Sequence, residues 1–362
     1  MEKEVTLGLK EAFEQNVAAA LITVTSVLGS TPRKPGAKMI VLADGTTAGT
    51  IGGGCGEAEA RREAFNVLST HTSKSHCLNM TADMAQEDGM VCGGIMELFI
   101  DYLDTEELSR FNINDNDLIL VTVIEAADER LIGKKLLIKS NGDVSGNLGL
   151  EELNTAALES AKTDLKRCQP LLMCLDAEFK PCKTSVTKAT YRCLIEPPTT
   201  VVQLLILGAG HIALPLATMA KILGYEVTVV DDRLSFANSA RFSTADTVIC
   251  NNFEHAIEGI TINPQTFVVI ITRGHRYDKV CLRKVIHQSA AYIGMIGSRK
   301  RVKALIAELE EEGVPSELLE KLYSPIGLKI GAETPEEIAV SILGELINVQ
   351  RELDQNGKTR CS

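Results

Sequence analysis

The feature that most constrains this chain is a glycine-rich turn between a strand-like run and a helix-like run. Gly208, Gly210 and Ala213 form the pattern G-x-G-x-x-A directly after the apolar segment Val201–Leu207, and Ile212–Leu223 has a helical composition. A strand, a tight turn and a helix in this order begin the βαβ unit that binds dinucleotides, with the pyrophosphate at the helix N-terminus. The turn therefore predicts a Rossmann-like domain with a doubly wound parallel sheet.

An acidic pair follows at the distance that such a unit requires. Tyr225–Val230 predicts the second strand, and Asp231 and Asp232 follow it about twenty residues beyond the glycines. An acid at this point accepts a hydrogen bond from a ribose 2′-hydroxyl and repels a 2′-phosphate. We therefore predict Asp231 as the ribose ligand, with Asp232 and His211 beside it, and NAD as the candidate cofactor of this site. The alternative for Asp231 is a loop carboxylate whose hydrogen bonds are satisfied within the protein.

Two further strands of this domain also end in polar residues. Thr266–Ile271 and Ala290–Met295 read as buried strands, and ligands bind at the carboxyl ends of strands in open α/β sheets. We expect anion or dinucleotide contacts from these ends, with Ser298 as a helix N-cap and with His275 and Asp278 as candidate acid–base residues. The residues concerned are Arg273, Gly274, His275, Asp278, Gly297, Ser298 and Arg299.

The first half of the chain contains a thiol inside a run of glycines. Gly53 and Gly54 directly precede Cys55, and Glu57 begins a predicted helix that extends to Leu68. A helix N-terminus favours the thiolate, so this position suits a reactive or metal-binding cysteine. The alternative is a tight loop in which the cysteine is only a small packing residue.

A second glycine-flanked cysteine and a cationic loop support a binding site in this half. Cys92 precedes a glycine pair and the strand-like run Ile95–Ile100. The loop 29–38 carries Arg33 and Lys38 among prolines and glycines, a composition that suits phosphate recognition and equally suits a solvated loop.

Composition excludes several classes of protein. The net charge is −11, which argues against a nucleic-acid-binding protein. The 10 cysteines include no C-x-x-C pair and no zinc-like spacing. The charged N-terminus has no apolar signal core, which predicts a cytoplasmic protein, and Val201–Ala220 is interrupted by glycines and Pro215, which argues against a membrane span.

The prolines after Glu196 mark the expected domain boundary. The predicted fold class is α/β, with an N-terminal α+β domain at residues 1–196 and a C-terminal Rossmann-like domain at residues 200–353. Residues 354–362 read as a frayed tail.

Together these motifs resemble the XdhC/CoxI family of molybdenum-hydroxylase maturation proteins. The resemblance rests on the glycine–cysteine runs at Cys55 and Cys92, the Gly208 fingerprint, Thr272–Asp278, Tyr292–Arg299 and Pro325–Gly331, in that order along the chain. Gly56 stands where we expect a larger residue, which leaves Cys55 and Glu57 in place.

The resemblance implies a factor that binds the molybdenum cofactor, protects it during sulfuration and delivers it to xanthine dehydrogenase or a related molybdenum hydroxylase. Cys55 and Cys92 would then contact molybdenum or sulfur, Glu57 would orient the turn, and Arg33 and Lys38 would meet the pterin phosphate. The implied partners are the hydroxylase, a cysteine desulfurase and a second copy of the chain in a homodimer.

Two other functions stay open on the sequence alone. An NAD-dependent oxidoreductase would use the Gly208 fingerprint with His275 as its acid–base residue. A nucleotidyltransferase acting on the cofactor would need a metal, carboxylates and a basic glycine-rich loop, whereas the loop here ends in cysteine. We therefore favour a binding and insertion factor over an enzyme.

Overall fold

The chain forms two units that divide between Thr199 and Thr200. The structure is a computed structural model, and it describes residues 3–80, 94–110, 118–139, 141–164, 170–182, 189–198 and 201–359. The first unit is α+β with antiparallel sheets and the second is a parallel α/β sheet, which confirms the predicted fold class.

The first sheet of the first unit has the strand order β3-β2-β1-β5-β4. Its central strand β1 is rich in β-branched residues and is buried over most of its length, as strands covered on both faces are. Helix α2 covers one face through Ala60, Ala64 and Val67. The elements are α1 (Lys3–Glu14), β1 (Ala19–Leu28), β2 (Lys38–Leu42), β3 (Thr47–Gly49), α2 (Gly54–Thr70), β4 (Lys74–Asn79), β5 (Ile95–Leu103) and α3 (Thr105–Arg110).

The second sheet of this unit has the order β8-β7-β6-β10-β9, and helix α4 packs on one of its faces. The turn at Asn141 and Gly142 connects β7 to β8. Strands β4 and β9 were not predicted from the sequence. The elements are β6 (Leu118–Ala126), a single 3₁₀ turn at Glu129–Leu131, β7 (Lys135–Lys139), β8 (Val144–Gly146), α4 (Glu151–Asp164), β9 (Leu171–Leu175) and β10 (Tyr191–Glu196).

Charged groups and a small apolar cluster join the two sheets. Phe99 of the first sheet packs against Ile124 and Leu194 of the second. Around this cluster three basic side chains bridge the sheets, in the pairs Lys38–Glu196 at 2.7 Å, Lys135–Asp101 at 3.0 Å and Arg192–Glu97 at 2.6 Å. We call these three pairs the inter-sheet ion pairs.

The second unit is a six-stranded parallel sheet with the order β13-β12-β11-β14-β15-β16, as in a doubly wound fold. Side chains of β11 alternate between the two faces, so Leu204 packs with α5 and α10, and Leu205 packs with α6, α7 and α8. The strands are β11 (Gln203–Leu207), β12 (Glu226–Asp231), β13 (Thr247–Cys250), β14 (Thr266–Ile270), β15 (Tyr292–Met295) and β16 (Leu322–Tyr323). The helices are α5 (Ala213–Ile222), α6 (Phe253–Glu258), α7 (His275–Val285), α8 (Arg299–Glu311), α9 (Ser316–Leu319) and α10 (Pro335–Thr359).

Two helix ends differ from the sequence prediction. Helix α2 begins at Gly54 and not at Glu57, with Gly53 as its N-cap. Gly53 and Gly54 have φ +82° and +65°, which glycine adopts readily, so the glycine turn leads directly into the helix. Helix α10 continues to Thr359, so residues 354–359 are helical where a frayed tail was predicted. Across the described ranges, no helix combines the length and the apolar character needed to span a membrane.

Candidate functional site

The glycine run before α2 forms a tight turn against the loop 29–38. Gly52 has φ +134°, and a Cβ at this residue would lie 2.3 Å from Cγ of Pro32. Only glycine allows this approach, since any side chain would overlap the proline. The contact brings the neighbouring Arg33, which is partly buried, to the side of the glycine turn.

Glu57 holds this turn from within the helix. Its Oε1 accepts hydrogen bonds from Thr50 Oγ1 at 2.5 Å, from Ile51 N at 3.1 Å and from Gly52 N at 3.2 Å. Partial burial opposes ionisation, but the hydrogen bonds from Thr50 and from the N–H groups of residues 51–53 prevail and lower the pKa of the Glu57 carboxyl. Glu57 therefore fixes the turn geometry as an ionised acceptor.

Cys55 lies in the first turn of α2, two residues after the N-cap Gly53, and its side chain is exposed. Gly53 makes no side-chain capping hydrogen bond, so the first N–H groups of α2 receive no side-chain cap from it. A Cβ at Gly53 would have no atom within 4 Å. The helix start thus places an exposed thiol beside a turn with open space at Gly53.

Lys38 does not join this group. Its side chain is buried, and Nζ binds Glu196 at 2.7 Å and Thr23 Oγ1 at 2.7 Å. Because that carboxylate already compensates its charge, the predicted phosphate contact of Lys38 is replaced by a role in joining the two sheets. Of the two predicted cations, Arg33 alone lies beside the glycine turn.

Cys92 lies outside the described residues. Gly94, the first described residue after it, packs closely against the loop 29–38, since a Cβ there would lie 2.5 Å from the carbonyl oxygen of Ser30. The chain therefore enters β5 beside the same loop that contacts the glycine turn. Within the described part of the chain, no group of three or more His, Cys, Asp or Glu side chains is arranged to hold a metal ion.

The Gly208 fingerprint has the predicted geometry at the carboxyl end of β11. Gly208 has φ +114°, and a Cβ there would lie 2.5 Å from the carbonyl oxygen of Ile271. Gly210, in contrast, faces open space, with no atom within 4 Å of a Cβ position. Ala213 begins α5 as a buried residue, and His211 is exposed on the turn. Gly208 thus serves packing, and Gly210 leaves room for a ligand.

The Asp231 carboxylate uses its acceptor positions for hydrogen bonds within the protein. It is 2% exposed, and its carboxylate accepts four hydrogen bonds, one from Ala209 N and three from the backbone and guanidinium of Arg233. Two carboxylate oxygens offer about four acceptor positions, so none is left for a ribose hydroxyl. Burial opposes ionisation, but these bonds outweigh it and lower the pKa of Asp231. The predicted ribose contact of Asp231 is therefore not supported by its geometry.

The adjacent Asp232 differs in its surroundings. Its Oδ2 accepts from Arg273 Nη2 at 2.8 Å, and its Oδ1 is buried without a hydrogen-bond partner. The guanidinium of Arg273 also lies 4.4 Å from the ring centroid of Tyr277 and bonds its hydroxyl. Asp232 and Arg273 thus connect the carboxyl ends of β12 and β14.

Asp278 is a buried structural acid, whereas His275 is partly exposed. The Asp278 carboxylate accepts hydrogen bonds from Thr272 Oγ1 and Arg301, and burial raises its pKa more than these groups lower it. His275 Nε2 lies 3.9 Å from a carboxylate oxygen of Glu308. The two candidate acid–base residues are therefore neighbours on α7 with separate partners.

The anion-binding candidates at β14 and β15 lie at two helix starts. Gly274 is the N-cap of α7, and Ser298 is the N-cap of α8, where its Oγ accepts from Arg301 N at 3.4 Å. This confirms the predicted capping role of Ser298. Arg299 follows as an exposed first residue of α8, and Gly297 is partly buried before it.

Sequence reasoning missed a group of residues that supports the fingerprint turn. Arg241 Nη1 donates to the carbonyl oxygens of Ala209 at 3.0 Å and Phe236 at 2.9 Å, and the guanidinium of Arg233 lies 3.6 Å from the Phe236 ring centroid. Arg241 follows the glycines by about thirty residues and belongs to no local motif, so no pattern in the sequence indicates it.

Comparison with known proteins matches two regions of the chain to protein-family models. The model described as XdhC and CoxI family matches residues 12–78, and the model described as XdhC Rossmann domain matches residues 204–346. Together the two matches cover more than half of the chain. The chain belongs to the XdhC/CoxI family.

Three similar proteins were found in these comparisons. A Bacillus subtilis protein described as a probable subunit of xanthine dehydrogenase is 28% identical over 95% of this chain and 96% of its own length. The uncharacterized protein YqeB of Escherichia coli is 27% identical over 93% of this chain, which spans only 44% of that relative. A crystal structure described as a xanthine dehydrogenase from Bacillus halodurans has the same fold, with a TM-score of 0.75, 24% identity and 96% coverage of both chains.

The two matched regions of this XdhC/CoxI family member contain most of the candidate residues. Arg33, Cys55 and Glu57 lie in the first, and the Gly208 turn and the ends of β12, β14 and β15 lie in the second. Cys92 lies between them, outside both matches.

Proposed function

We propose that this protein is a maturation factor for xanthine dehydrogenase or a related molybdenum hydroxylase. It binds the molybdenum cofactor through the glycine turn before α2, protects it during sulfuration and passes it to the hydroxylase. Membership of the XdhC/CoxI family supports this role, as does the name of the similar B. subtilis protein, which links that relative to xanthine dehydrogenase.

The observation that carries the proposal is the contact between Pro32 and Gly52. It sets a cation, Arg33, beside the open N-terminus of a 17-residue helix whose second residue is the exposed Cys55. Backbone N–H groups and an arginine suit a phosphate, and a thiolate is a soft ligand suited to a transition metal or to sulfur. A phosphorylated pterin that carries molybdenum needs both kinds of contact.

Each residue of the turn has its own role in binding the cofactor. Arg33 and the first N–H groups of α2 bind the pterin phosphate, and Gly53 leaves space for it. Glu57 keeps the turn in shape through its three hydrogen bonds. Cys55 would hold the metal end of the ligand, and the bound molybdenum centre would supply the redox chemistry that the client hydroxylase needs.

Cofactor retention and transfer test the proposal. The protein is purified from molybdenum-replete cells, its molybdenum and pterin contents are measured, and its ability to activate cofactor-free xanthine dehydrogenase is assayed. We expect Cys55→Ala to lower the retained molybdenum about tenfold or more, as for the loss of a metal contact, and Arg33→Gln to lower retained pterin.

Matched variants make the result specific. Cys77→Ala removes another exposed thiol of the same unit, on β4, and Lys10→Gln removes an exposed cation of α1, so both should behave as the wild type. Cys92→Ala is measured alongside. Wild-type retention in both Cys55→Ala and Cys92→Ala would contradict the thiol contact, and wild-type protein without molybdenum or pterin would contradict the cofactor role.

The same preparation tests the proposed partners. Sulfuration of the bound cofactor needs a sulfur source, for which we propose a cysteine desulfurase. Co-purification with the hydroxylase and the desulfurase, and sedimentation of the protein alone as a homodimer, are the expected results. Sedimentation as a monomer would contradict the homodimer.

A further inference from the structure

One carboxylate oxygen in the second unit lacks a hydrogen-bond partner. Among the described residues, Oδ1 of Asp232 is the only buried side-chain oxygen or nitrogen in this state. Such an atom costs free energy until a donor reaches it. The Asp232 side chain as a whole is 25% exposed, and its Oδ2 is held by Arg273. Arg233 Nε lies 3.9 Å from Oδ1, which is farther than a hydrogen bond. A donor from solvent can approach the exposed part of this side chain.

The turn before α5 leaves open space at Gly210. Gly210 has no atom within 4 Å of a Cβ position, and Asp232 follows the strand next to β11 in the sheet. In this fold a phosphate lies at the glycine turn and a sugar lies at the acid after the second strand. Because Asp231 already accepts four hydrogen bonds, Asp232 is the acid that can receive a sugar hydroxyl.

The ends of β14 and β15 differ from what a nicotinamide group needs. In residues 272–278 and 297–301, all of which the structure describes, Asp278 is the only carboxylate, and it is buried and paired with Arg301. Arg276, Arg299 and Lys300 lie in the first turns of α7 and α8. These cations repel the positively charged ring of NAD⁺ and attract an anion.

From these observations we propose that the carboxyl edge of this sheet binds a ribonucleotide with a terminal polyphosphate, in preference to a nicotinamide dinucleotide. The sugar hydroxyl donates to Asp232, the first phosphate lies at Gly210, and the terminal phosphates meet Arg273 and Arg299. This site lies within the second unit and goes beyond the cofactor role proposed for the first, so either proposal can fail alone.

Calorimetric titration of the full-length protein with ATP, 2′-deoxy-ATP and NAD⁺ tests this proposal. We expect the wild type to bind ATP about tenfold or more tightly than either of the other two, since each lacks one charged or hydrogen-bonded contact. Asp232→Ala removes the acceptor, so it should weaken ATP and abolish the preference for ATP over 2′-deoxy-ATP, a change that a purely structural role would not produce. Arg299→Gln should weaken ATP and leave AMP binding unchanged.

A control variant and the reverse outcomes complete the experiment. Glu258→Gln removes an exposed carboxylate on α6 that binds Lys284 at 2.6 Å, and it should bind ATP as the wild type does. Circular dichroism checks that each variant is folded. Equal affinity for ATP and NAD⁺, no ATP binding by the wild type, or an intact 2′-hydroxyl preference in Asp232→Ala would each overturn the proposal.

Discussion

At the scale of single residues, two neighbouring acids differ in how many of their hydrogen-bond acceptor positions the protein itself uses. Asp231 and Asp232 are adjacent and have the same chemistry. The Asp231 carboxylate accepts hydrogen bonds from Ala209 and Arg233, whereas one oxygen of Asp232 accepts none. The difference lies in the donors that reach each carboxylate, which are Ala209 and Arg233 at Asp231 and Arg273 at Asp232. In the nucleotide site proposed above, this difference selects Asp232 for the sugar hydroxyl.

Glu57 gives a pH-dependent prediction at this scale. Its pKa is below the ordinary value of 4.5 in the folded protein, because hydrogen bonds from Thr50 and the turn outweigh the opposing effect of burial. A carboxyl with a lowered pKa stabilises the fold above its unfolded value, and this contribution is lost as the pH falls through the folded value. We expect the amides of Ile51 and Gly52 to lose hydrogen-exchange protection below about pH 4.5, after correction for the intrinsic exchange rate.

A variant and a second amide test this interpretation. Glu57→Gln should reduce protection at the same two amides about tenfold at neutral pH and remove its pH dependence. The amide of His71, which donates to the Val67 carbonyl at the other end of α2, should show neither effect. An acid-dependent loss that persists in Glu57→Gln would assign the effect to another group.

At the scale of elements, the two glycines of the fingerprint turn serve different purposes. Gly208→Ala forces a Cβ onto the carbonyl of Ile271 at a positive φ, so we expect it to destabilise the second unit by about 1–3 kcal/mol or more. Gly210→Ala adds a methyl group in open space, so its effect on stability should stay within about 0.5 kcal/mol. It should nevertheless weaken ATP binding, because the phosphate needs a close approach to the backbone.

Thermal denaturation and titration of the two variants provide the measurement. Similar stability losses in both would show that Gly210 is also a packing residue. Unchanged ATP binding in Gly210→Ala would contradict the proposal that a phosphate binds at this turn.

The sequence predicted those elements that carry a local signal. The βαβ unit around Gly208 was predicted closely because its strands are continuous apolar runs and its glycines have a fixed spacing. Strand β4 was missed because it lies at a sheet edge and exposes polar residues such as Ser75 and Asn79. The start of α2 was misplaced because three glycines hide the helical signal.

The residues of the candidate site were predicted from the sequence, but their interaction partners were not. Cys55, Glu57 and the Gly208 turn follow from spacing, whereas the ion pair between Lys38 and Glu196 joins residues that are far apart in the chain. No local pattern encodes such a pair. The sequence therefore predicted Lys38, in a glycine- and proline-rich loop, as a ligand contact, whereas it pairs with Glu196 on the distant strand β10.

At the scale of the whole molecule, the inter-sheet ion pairs hold the first unit together. Lys38 and Glu196 are both largely buried, so Lys38→Met leaves a carboxylate without its partner, and we expect a loss of about 3 kcal/mol in the free energy of unfolding. Lys34→Met, at an exposed position in the same loop, should change it by less than about 0.5 kcal/mol. Chemical denaturation measures both.

A double variant separates the charge from its packing. Lys38→Met combined with Glu196→Leu replaces the pair by apolar groups of similar size, and we expect it to recover most of the lost stability. If the double variant is no more stable than Lys38→Met, the pair contributes a specific geometry that apolar packing cannot replace.

The four hydrogen bonds on Asp231 have a consequence for the rate of ligand binding. One of them, donated by Ala209 N, holds the Gly208 turn by a contact within the protein alone. A ligand that reaches this turn therefore need not order it first, and little conformational entropy is lost on association. Encounter frequency rather than refolding of the turn should then limit association. Because Arg276, Arg299 and Lys300 make this edge locally positive although the net charge is −11, the rate constant for an anionic ligand should rise as ionic strength falls.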